Sequence, residues 1–284
     1  MGQVKLMLEG QDNYYLQEAF KTLRTNLLFC GKEVRTIVFT SSRENEGKSS
    51  VSMNVAKSFA EFEKNVLLID ADMRKSVMVG RNTISSDQQL LGLSEMLTGQ
   101  CGMEEAVQQT QYPGLEVIFS GQYPPNPSEL LGSEDFKRFV KECREKYDYV
   151  IIDTPPLGQV IDAAMVAAFC DGAVLVLSDT TLSYRFVRGV IDQLEKSGCK
   201  ILGVVRNIVE EKSSRYGKYY GKYKKYGKYG KYGGYGAYGS YGSGQQASDS
   251  TVNTGTQAPT LGQLSQNRKQ NRSRKKKVKL PFGR

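Results

Sequence analysis

Apolar and polar positions change their period several times along this chain. From Asp12 to Cys30 the apolar residues Leu16, Phe20, Leu23 and Leu27/Leu28 recur at helical spacing, which predicts an amphipathic helix. Arg35–Ser41 (RTIVFTS) is a short apolar run, a buried strand, and a polar loop and a helix over 47–63 follow it. Further strands are predicted at Asn65–Asp70 (NVLLID), Leu115–Ser120 (LEVIFS), Tyr149–Asp153 (YVIID), Ala173–Leu177 (AVLVL) and Ile201–Val205 (ILGVV). β-Branched runs separated by helical segments predict an α/β fold, with a mostly parallel sheet and helices on both faces. About 200 residues suffice to bury such a core.

The pattern stops at Lys212. Residues 212–243 are built almost wholly of Tyr, Gly and Lys/Arg, with ten tyrosines at Tyr216, Tyr219, Tyr220, Tyr223, Tyr226, Tyr229, Tyr232, Tyr235, Tyr238 and Tyr241. Residues 244–267 are rich in Gln, Ser and Thr, and 268–279 form a basic run (RKQNRSRKKKVK). Between Lys212 and Gln246 the only aliphatic side chain is that of Ala237, so nothing offsets the entropy of ordering. The sequence therefore divides into a domain over 1–211, a Tyr/Gly/Lys-rich tail over 212–243 and a distal segment over 244–284, with the C-terminal tail expected to be disordered.

Charge follows the same division. The chain carries 39 Lys+Arg against 30 Asp+Glu, a net +9. Seventeen of the basic residues but only one acid, Asp249, lie from Lys212 onward, so the body is −7 and the tail +16. This is an acidic globule with a basic appendage, and no nucleic-acid partner is expected. The absence of His excludes a Ser-His-Asp triad, an imidazole base and any His-ligated metal. The five Cys never form C-x-x-C, which reads as a reduced, cytosolic protein without a disulfide framework or structural zinc. No run of 18 apolar residues occurs, and Met1–Gln11 lacks a signal peptide's apolar core, so the chain reads as soluble.

The candidate chemistry lies at the ends of the strands. Thr40–Ser50 reads TSSRENEGKSS, a variant of the G-x-x-x-x-G-K-[ST] phosphate loop in which Ser42 replaces the first Gly. Strand, loop and helix stand in the order the motif needs. Residues Ser42, Arg43, Glu44, Asn45, Glu46, Gly47, Lys48, Ser49 and Ser50 are thus the expected nucleotide cradle. Lys48 is expected on the β/γ-phosphates and Ser49 on Mg²⁺. Asn45 is a candidate for a positive φ, and Glu46 is unusual beside phosphate charge. VLLIDADMR (Val66–Arg74) puts Asp70 and Asp72 after one buried strand, and VIIDTPP (Val150–Pro156) puts Asp153 after another. In an open parallel sheet these carboxylates converge on one edge, a Mg²⁺–nucleotide site. Phosphoryl transfer needs charge neutralisation, alignment and a proton acceptor. Asp153 is the expected Mg²⁺ ligand, Asp70 or Asp72 positions the nucleophile and the metal, and Arg74 is expected to balance them. Without His, a carboxylate is the only base in this constellation.

These residues resemble the three Walker motifs of bacterial protein tyrosine kinases, the P-loop-derived enzymes of capsule and exopolysaccharide synthesis. GLSEMLTG (Gly92–Gly99) and PPNPSELLGSEDF (Pro124–Phe136) are similar to further stretches of that family, and the match runs from about Asp12 to Val209 before the tyrosine-rich tail. The resemblance implies autophosphorylation in trans on the C-terminal tyrosines with ATP and Mg²⁺, other protein substrates, and control of polysaccharide synthesis and export. It also implies a homo-oligomeric ring, an octamer among the options, and a transmembrane modulator that recruits the cytoplasmic kinase to the membrane's inner face. Ring contact in the family is linked to E-x-x-R-x-x-R on the first helix. Here the positions are Glu18, Lys21 and Arg24, and the middle Lys keeps the charge but not the planar fork. Glu44-Asn45 stands where the family usually has Pro-Gly.

A second reading comes from the partition-type and septum-site ATPases, switches that share the fold and the second Walker strand. Their signature Lys, five residues before the P-loop Lys, corresponds here to Arg43, and the tail tyrosines have no role in that reading. A tethered substrate explains tail and site together. About 30 flexible residues span roughly 30 Å on average and up to about 100 Å extended. Each phosphotyrosine adds about −1.5 to −2, so four or five would cancel the eight basic charges of 212–241. The distal run Arg268–Lys279 suits anionic lipid or a solubilising role.

Overall fold

The computed structural model describes residues 3–8, 13–81, 83–84, 91–178 and 183–207. The ten tail tyrosines, the distal basic run and the segment boundaries at 211 and 243 lie outside the described residues. In chain order the elements are β1 (Gln3–Lys5), α1 (Tyr14–Phe29), β2 (Thr36–Ser41), α2 (Lys48–Ala60), β3 (Val66–Asp70), α3 (Met78–Arg81) and β4 (Thr83–Ile84). There follow α4 (Leu93–Leu97), α5 (Met103–Ala106), β5 (Gln108–Thr110), β6 (Leu115–Ile118), α6 (Pro127–Leu131) and α7 (Glu134–Lys146). The last are β7 (Tyr149–Asp153), α8 (Asp162–Ala167), β8 (Gly172–Ser178), α9 (Tyr184–Lys196) and β9 (Ile201–Asn207).

One sheet runs β4-β1-β5-β6-β3-β7-β2-β8-β9. The pairs from β6 through β9 are parallel, and β1–β4 and β5–β6 are antiparallel. The sequence pattern finds the central strands but misses β1, β4 and β5. QVK, TI and QQT are too short and too polar to announce a strand, and they pair because the sheet edge offers backbone partners.

Alternation within the central strands divides the core between two faces. On β2, Ile37 and Phe39 join the layer under α1 and α2, while Val38 points to the layer under α7, α8 and α9. On β7, Val150 and Ile152 face the second layer and Ile151 the first. Asn13 starts α1 by accepting from the Tyr15 and Leu16 amides at 3.0 and 3.3 Å, and Ser133 accepts from the Phe136 amide at 3.1 Å to start α7, as N-caps do. Because β7 and β8 flank β2, the chain after β2 leaves at the point where strand order reverses, where ligand crevices form in such sheets.

At the opposite edge Asp171 ties β2 to β8. It accepts from the Arg35 and Thr36 amides (3.0 and 2.9 Å), the Thr36 hydroxyl (2.9 Å) and Arg144 Nε (3.1 Å). Burial would raise its pKa, but these donors outweigh burial and lower it. A depressed carboxylate contributes stability above its ordinary pKa and loses it as pH falls through the folded value. Asp171→Asn is therefore expected to cost about 2 kcal/mol at pH 7. Urea unfolding of both proteins from pH 7 to 3 should show that gap closing as Asp171 becomes protonated.

Candidate functional site: a P-loop cleft with three carboxylates

The loop between β2 and α2 turns through two left-handed residues, Asn45 (φ 62°) and Gly47 (φ 82°). Asn is the non-glycine residue that tolerates this region best, as expected for position 45. Gly47 caps α2 and opens its first turn toward a cleft of about 310 Å³. Glu44, Asn45, Gly47, Lys48, Ser49 and Ser50 line one side of that cleft. Asp72, Arg74 and Val77 contribute from the β3 loop, and Pro155, Pro156 and Val160 from the segment after β7.

Ser42, Arg43 and Glu46, placed in the nucleotide cradle by the sequence, do not line it. The Glu46 carboxylate turns inward and accepts from the Ser42 amide (2.7 Å), the Ser42 hydroxyl (2.8 Å) and the Arg43 amide (2.8 Å). It also takes the Ser178 amide at 3.3 Å. An acid in the loop is thus compatible with phosphate, because it is spent on rigidifying the loop's first half. Arg43 stacks over the Phe186 ring, 4.8 Å from its centroid.

The carboxylates meet as the strand ends require. Asp70 and Asp153 are register partners on β3 and β7, both buried. Lys48 Nζ lies 3.1 Å from Asp72 Oδ2, 3.4 Å from Asp153 Oδ2 and 3.1 Å from Ser49 Oγ. The Ser49 hydroxyl donates to Asp153 Oδ2 at 2.6 Å. Burial works against the Lys48 charge, but Asp153 and Asp72 outweigh it and hold its pKa above the ordinary value. Asp70 is pushed up to about 7, first by burial and then by Asp153, and burial raises Asp153 as well. Asp70 accepts from the Asp72 amide at 3.1 Å and from the Ser76 hydroxyl. Among the three acids only Asp72 lines the cleft.

Oxygen donors suited to a hard cation are present. Asp153 Oδ1 is buried with no hydrogen-bond partner, an arrangement that costs free energy unless a donor or cation pairs with it. Among the described residues no group of three or more His, Cys, Asp or Glu could by itself hold a metal. Mg²⁺ needs only one or two carboxylates, with waters and substrate phosphates completing its shell.

Arg74 departs from expectation. Its guanidinium does not neutralise Asp70 and Asp72 but pairs with Asp162, Nε to Oδ2 at 2.6 Å and Nη2 to Oδ1 at 3.0 Å. The physical reason is reach: the fully buried Asp162 faces the loop from α8, and a planar fork fits its carboxylate. Asn207, at the end of β9, belongs to no motif of the sequence yet supports the loop. Its side-chain amide donates to the Glu46 carbonyl at 3.0 Å, 161 residues away in sequence, and no local signal marks it.

Glu18, Lys21 and Arg24 are on α1, which packs on α2 away from the cleft. Lys21 pairs with Glu18 at 2.8 Å on the exposed face. Arg24 donates to the Ser58 carbonyl at 2.7 Å and lies 4.6 Å from the Phe62 ring centroid. Among the described residues no helix is long and apolar enough to cross a membrane, and all five cysteines are free.

A family model described as an AAA domain matches residues 34–198. The tyrosine-protein kinase CpsD of Streptococcus agalactiae is 42% identical over 208 residues, covering 72% of this chain and 90% of that protein. The solved kinase domain of the Escherichia coli tyrosine kinase ETK superposes with a TM-score of 0.65 at 29% identity, over 74% of this chain and 91% of that one. The septum-site-determining protein MinD of Pyrococcus horikoshii, complexed with Mg-ADP, has a TM-score of 0.50 at 23% identity, covering 60% and 69%. At that distance it shows the shared fold alone, whereas the kinase relative at 42% identity over 90% of its length favours the kinase over the switch ATPase. The chain belongs to the bacterial tyrosine-protein kinases built on the P-loop fold, and its activity is the phosphorylation of tyrosine in proteins.

Proposed function

We propose that the cleft binds Mg²⁺–ATP and that the chain phosphorylates the tyrosines of its own C-terminal cluster in trans, from a catalytic domain over 1–211 to a neighbour's tail over 212–243. The observation that carries this reading is Lys48, buried between Asp72 and Asp153 at the floor of a phosphate loop. A lysine held there keeps its charge and is placed to exchange carboxylates for phosphate oxygens. The amides at the start of α2 present donors to the phosphates, and the helix dipole favours their charge.

Ser49 and Asp153 would hold the Mg²⁺, with Asp70 behind them, and the bound ion would neutralise charge on the β- and γ-phosphate oxygens. Asp72 is the carboxylate open to the acceptor. When Lys48 turns to the phosphates, Asp72 loses its counter-cation and becomes the group able to accept the phenol proton. The apolar wall of Val77, Pro155, Pro156 and Val160 suits an aromatic ring.

A role in capsular and exopolysaccharide synthesis and export, activation by a transmembrane modulator at the membrane's inner face, and a ring joined through Glu18, Lys21 and Arg24 complete the proposal. Their support is the family membership. For the ring, Arg24 is already engaged with Ser58 and Phe62, which leaves Glu18 and Lys21 as its exposed charges.

Incubation of the full chain with Mg²⁺-ATP, followed by phosphopeptide mapping, tests the reading. Phosphotyrosine within 216–241 is expected, rising more than linearly with protein concentration because transfer is between chains. Hydrolysis of ATP with no phosphotyrosine in the tail would sink it.

A further inference from the structure

The segment PPNPSELL has no part in the phosphate site, yet the fold places its serine against that site. Ser128, the second residue of α6, accepts from Arg74 Nη2 at 2.8 Å and donates to Asp162 Oδ1 at 2.8 Å. Arg74 in turn makes its two bonds to Asp162. The three side chains close a ring in which each hydrogen is used once: the guanidinium only donates, the carboxylate only accepts, and the hydroxyl does both. The Asp162 side chain is 0% exposed and that of Arg74 is 32% exposed, so this pair is anchored in the interior and ends at the cleft wall.

Its importance follows from what else holds the loop after β3. Within the loop, the Asp72 amide bonds to Asp70 and the Lys75 amide bonds to Asp72 Oδ1 at 3.0 Å. These contacts shape the loop but do not fix it against the far wall of the cleft. Lys48 pairs with Asp72 inside the site at 3.1 Å, and two further ion pairs reach outward. Lys75–Glu44 spans 2.8 Å between side chains that are 71% and 43% exposed, and such surface pairs hold little. The Arg74–Asp162–Ser128 ring is bidentate and buried at its base, which gives it both strength and direction. Arg74 is two residues beyond Asp72, so a swing of Arg74 carries Asp72 with it.

We propose that Asp162 and Ser128 are positioning residues for phosphotransfer, clamping Arg74 so that the loop presents Asp72 to Lys48 and to the acceptor tyrosine. The inference rests on the reading of the cleft as the phosphotransfer site. Neither residue touches substrate. They act on the placement of Asp72, so the effect falls on turnover and leaves ATP affinity in place.

Three variants test this by initial rates at 20 °C, with ATP varied and thermal melting recorded alongside. Asp162→Asn turns one acceptor into a donor facing Arg74, and kcat is expected to fall about ten-fold or more with KM for ATP within about three-fold, the usual cost of a small misplacement. Arg74→Lys keeps the charge but cannot bridge Asp162 and Ser128 together, and a comparable fall is expected. Ser128→Ala is expected to be milder, about two- to five-fold, because both hydrogen bonds of its hydroxyl are lost but the direct Arg74–Asp162 pair remains. Lys48→Met is the reference for the site itself. If Asp162→Asn does not fold, Arg74→Lys and Ser128→Ala decide, since neither leaves a buried charge without a partner. Unchanged kcat with only a lower melting temperature makes the ring structural and overturns the inference, as does a rise in KM for ATP at constant kcat. Full activity in Lys48→Met would instead overturn the assignment of the site.

Discussion

Lys48→Met is expected to reduce tyrosine phosphorylation by about 100-fold or more, the range seen when a preorganised charge is removed from a developing transition state. The loss has two parts. The phosphates lose their fixed cation, and Asp72 and Asp153 lose the group that now holds them together. The second part acts even without nucleotide. Breaking a buried pair costs about 3–5 kcal/mol when the remaining charge stays uncompensated. Here the carboxylates have an escape, because Asp70 titrates near 7 and Asp153 is raised as well. A carboxylate with a raised folded pKa stabilises the fold when protonated, and that contribution is lost as pH rises through the folded value. Removing the cation raises those values further. Lys48→Met is therefore expected to be clearly less stable than the parent at pH 8 and to approach it toward pH 5. Thermal melts at the two pH values, without nucleotide, check the sign. An equal deficit at both would mean that the acids do not take up the proton.

Gly158→Ala is expected to cost about 3 kcal/mol, at the upper end of overpacking penalties, and to weaken nucleotide binding at least about ten-fold by shifting the phosphate loop. A Cβ at Gly158 would stand 2.1 Å from the Ser42 carbonyl oxygen and 2.7 Å from Phe186 Cζ. The phenyl ring can move, but the carbonyl belongs to the backbone where β2 enters the loop. That backbone is pinned, since the Leu157 amide bonds to the Ser41 carbonyl at 2.9 Å and the Thr40 hydroxyl bonds to the Pro155 carbonyl at 2.9 Å. The loop must therefore yield as a body. Gly189→Ala is the matched control. It lies within α9 with nothing inside 4 Å of the added carbon, so about 0.5–1 kcal/mol of stabilisation is expected. Calorimetry with a non-hydrolysable ATP analogue and chemical unfolding separate the two substitutions. Wild-type affinity in Gly158→Ala would mean that the loop tolerates the shift.

The sequence by itself determined the central strands, the position of the phosphate loop and the edge on which Asp70, Asp72 and Asp153 meet. Each of these depends on short-range rules. Periodicity identifies a strand from its own residues, a positive φ selects Asn45 and Gly47 locally, and parallel strands necessarily share a carboxyl edge. The tertiary structure alone decided which partners the site residues take. Arg74 answers to Asp162, 88 residues on, and Glu46 turns to Ser178, 132 residues on. Gly158 is required by Ser42, and Ser128 in a motif without evident chemistry reaches the cleft wall. β1, β4 and β5 exist because the sheet supplies partners for their backbone, not because QVK, TI or QQT favours a strand. The physical reason is common to all of these. Propensity and period are properties of neighbouring residues, whereas a hydrogen-bond partner is fixed by how helices and strands pack, which no stretch of sequence encodes alone.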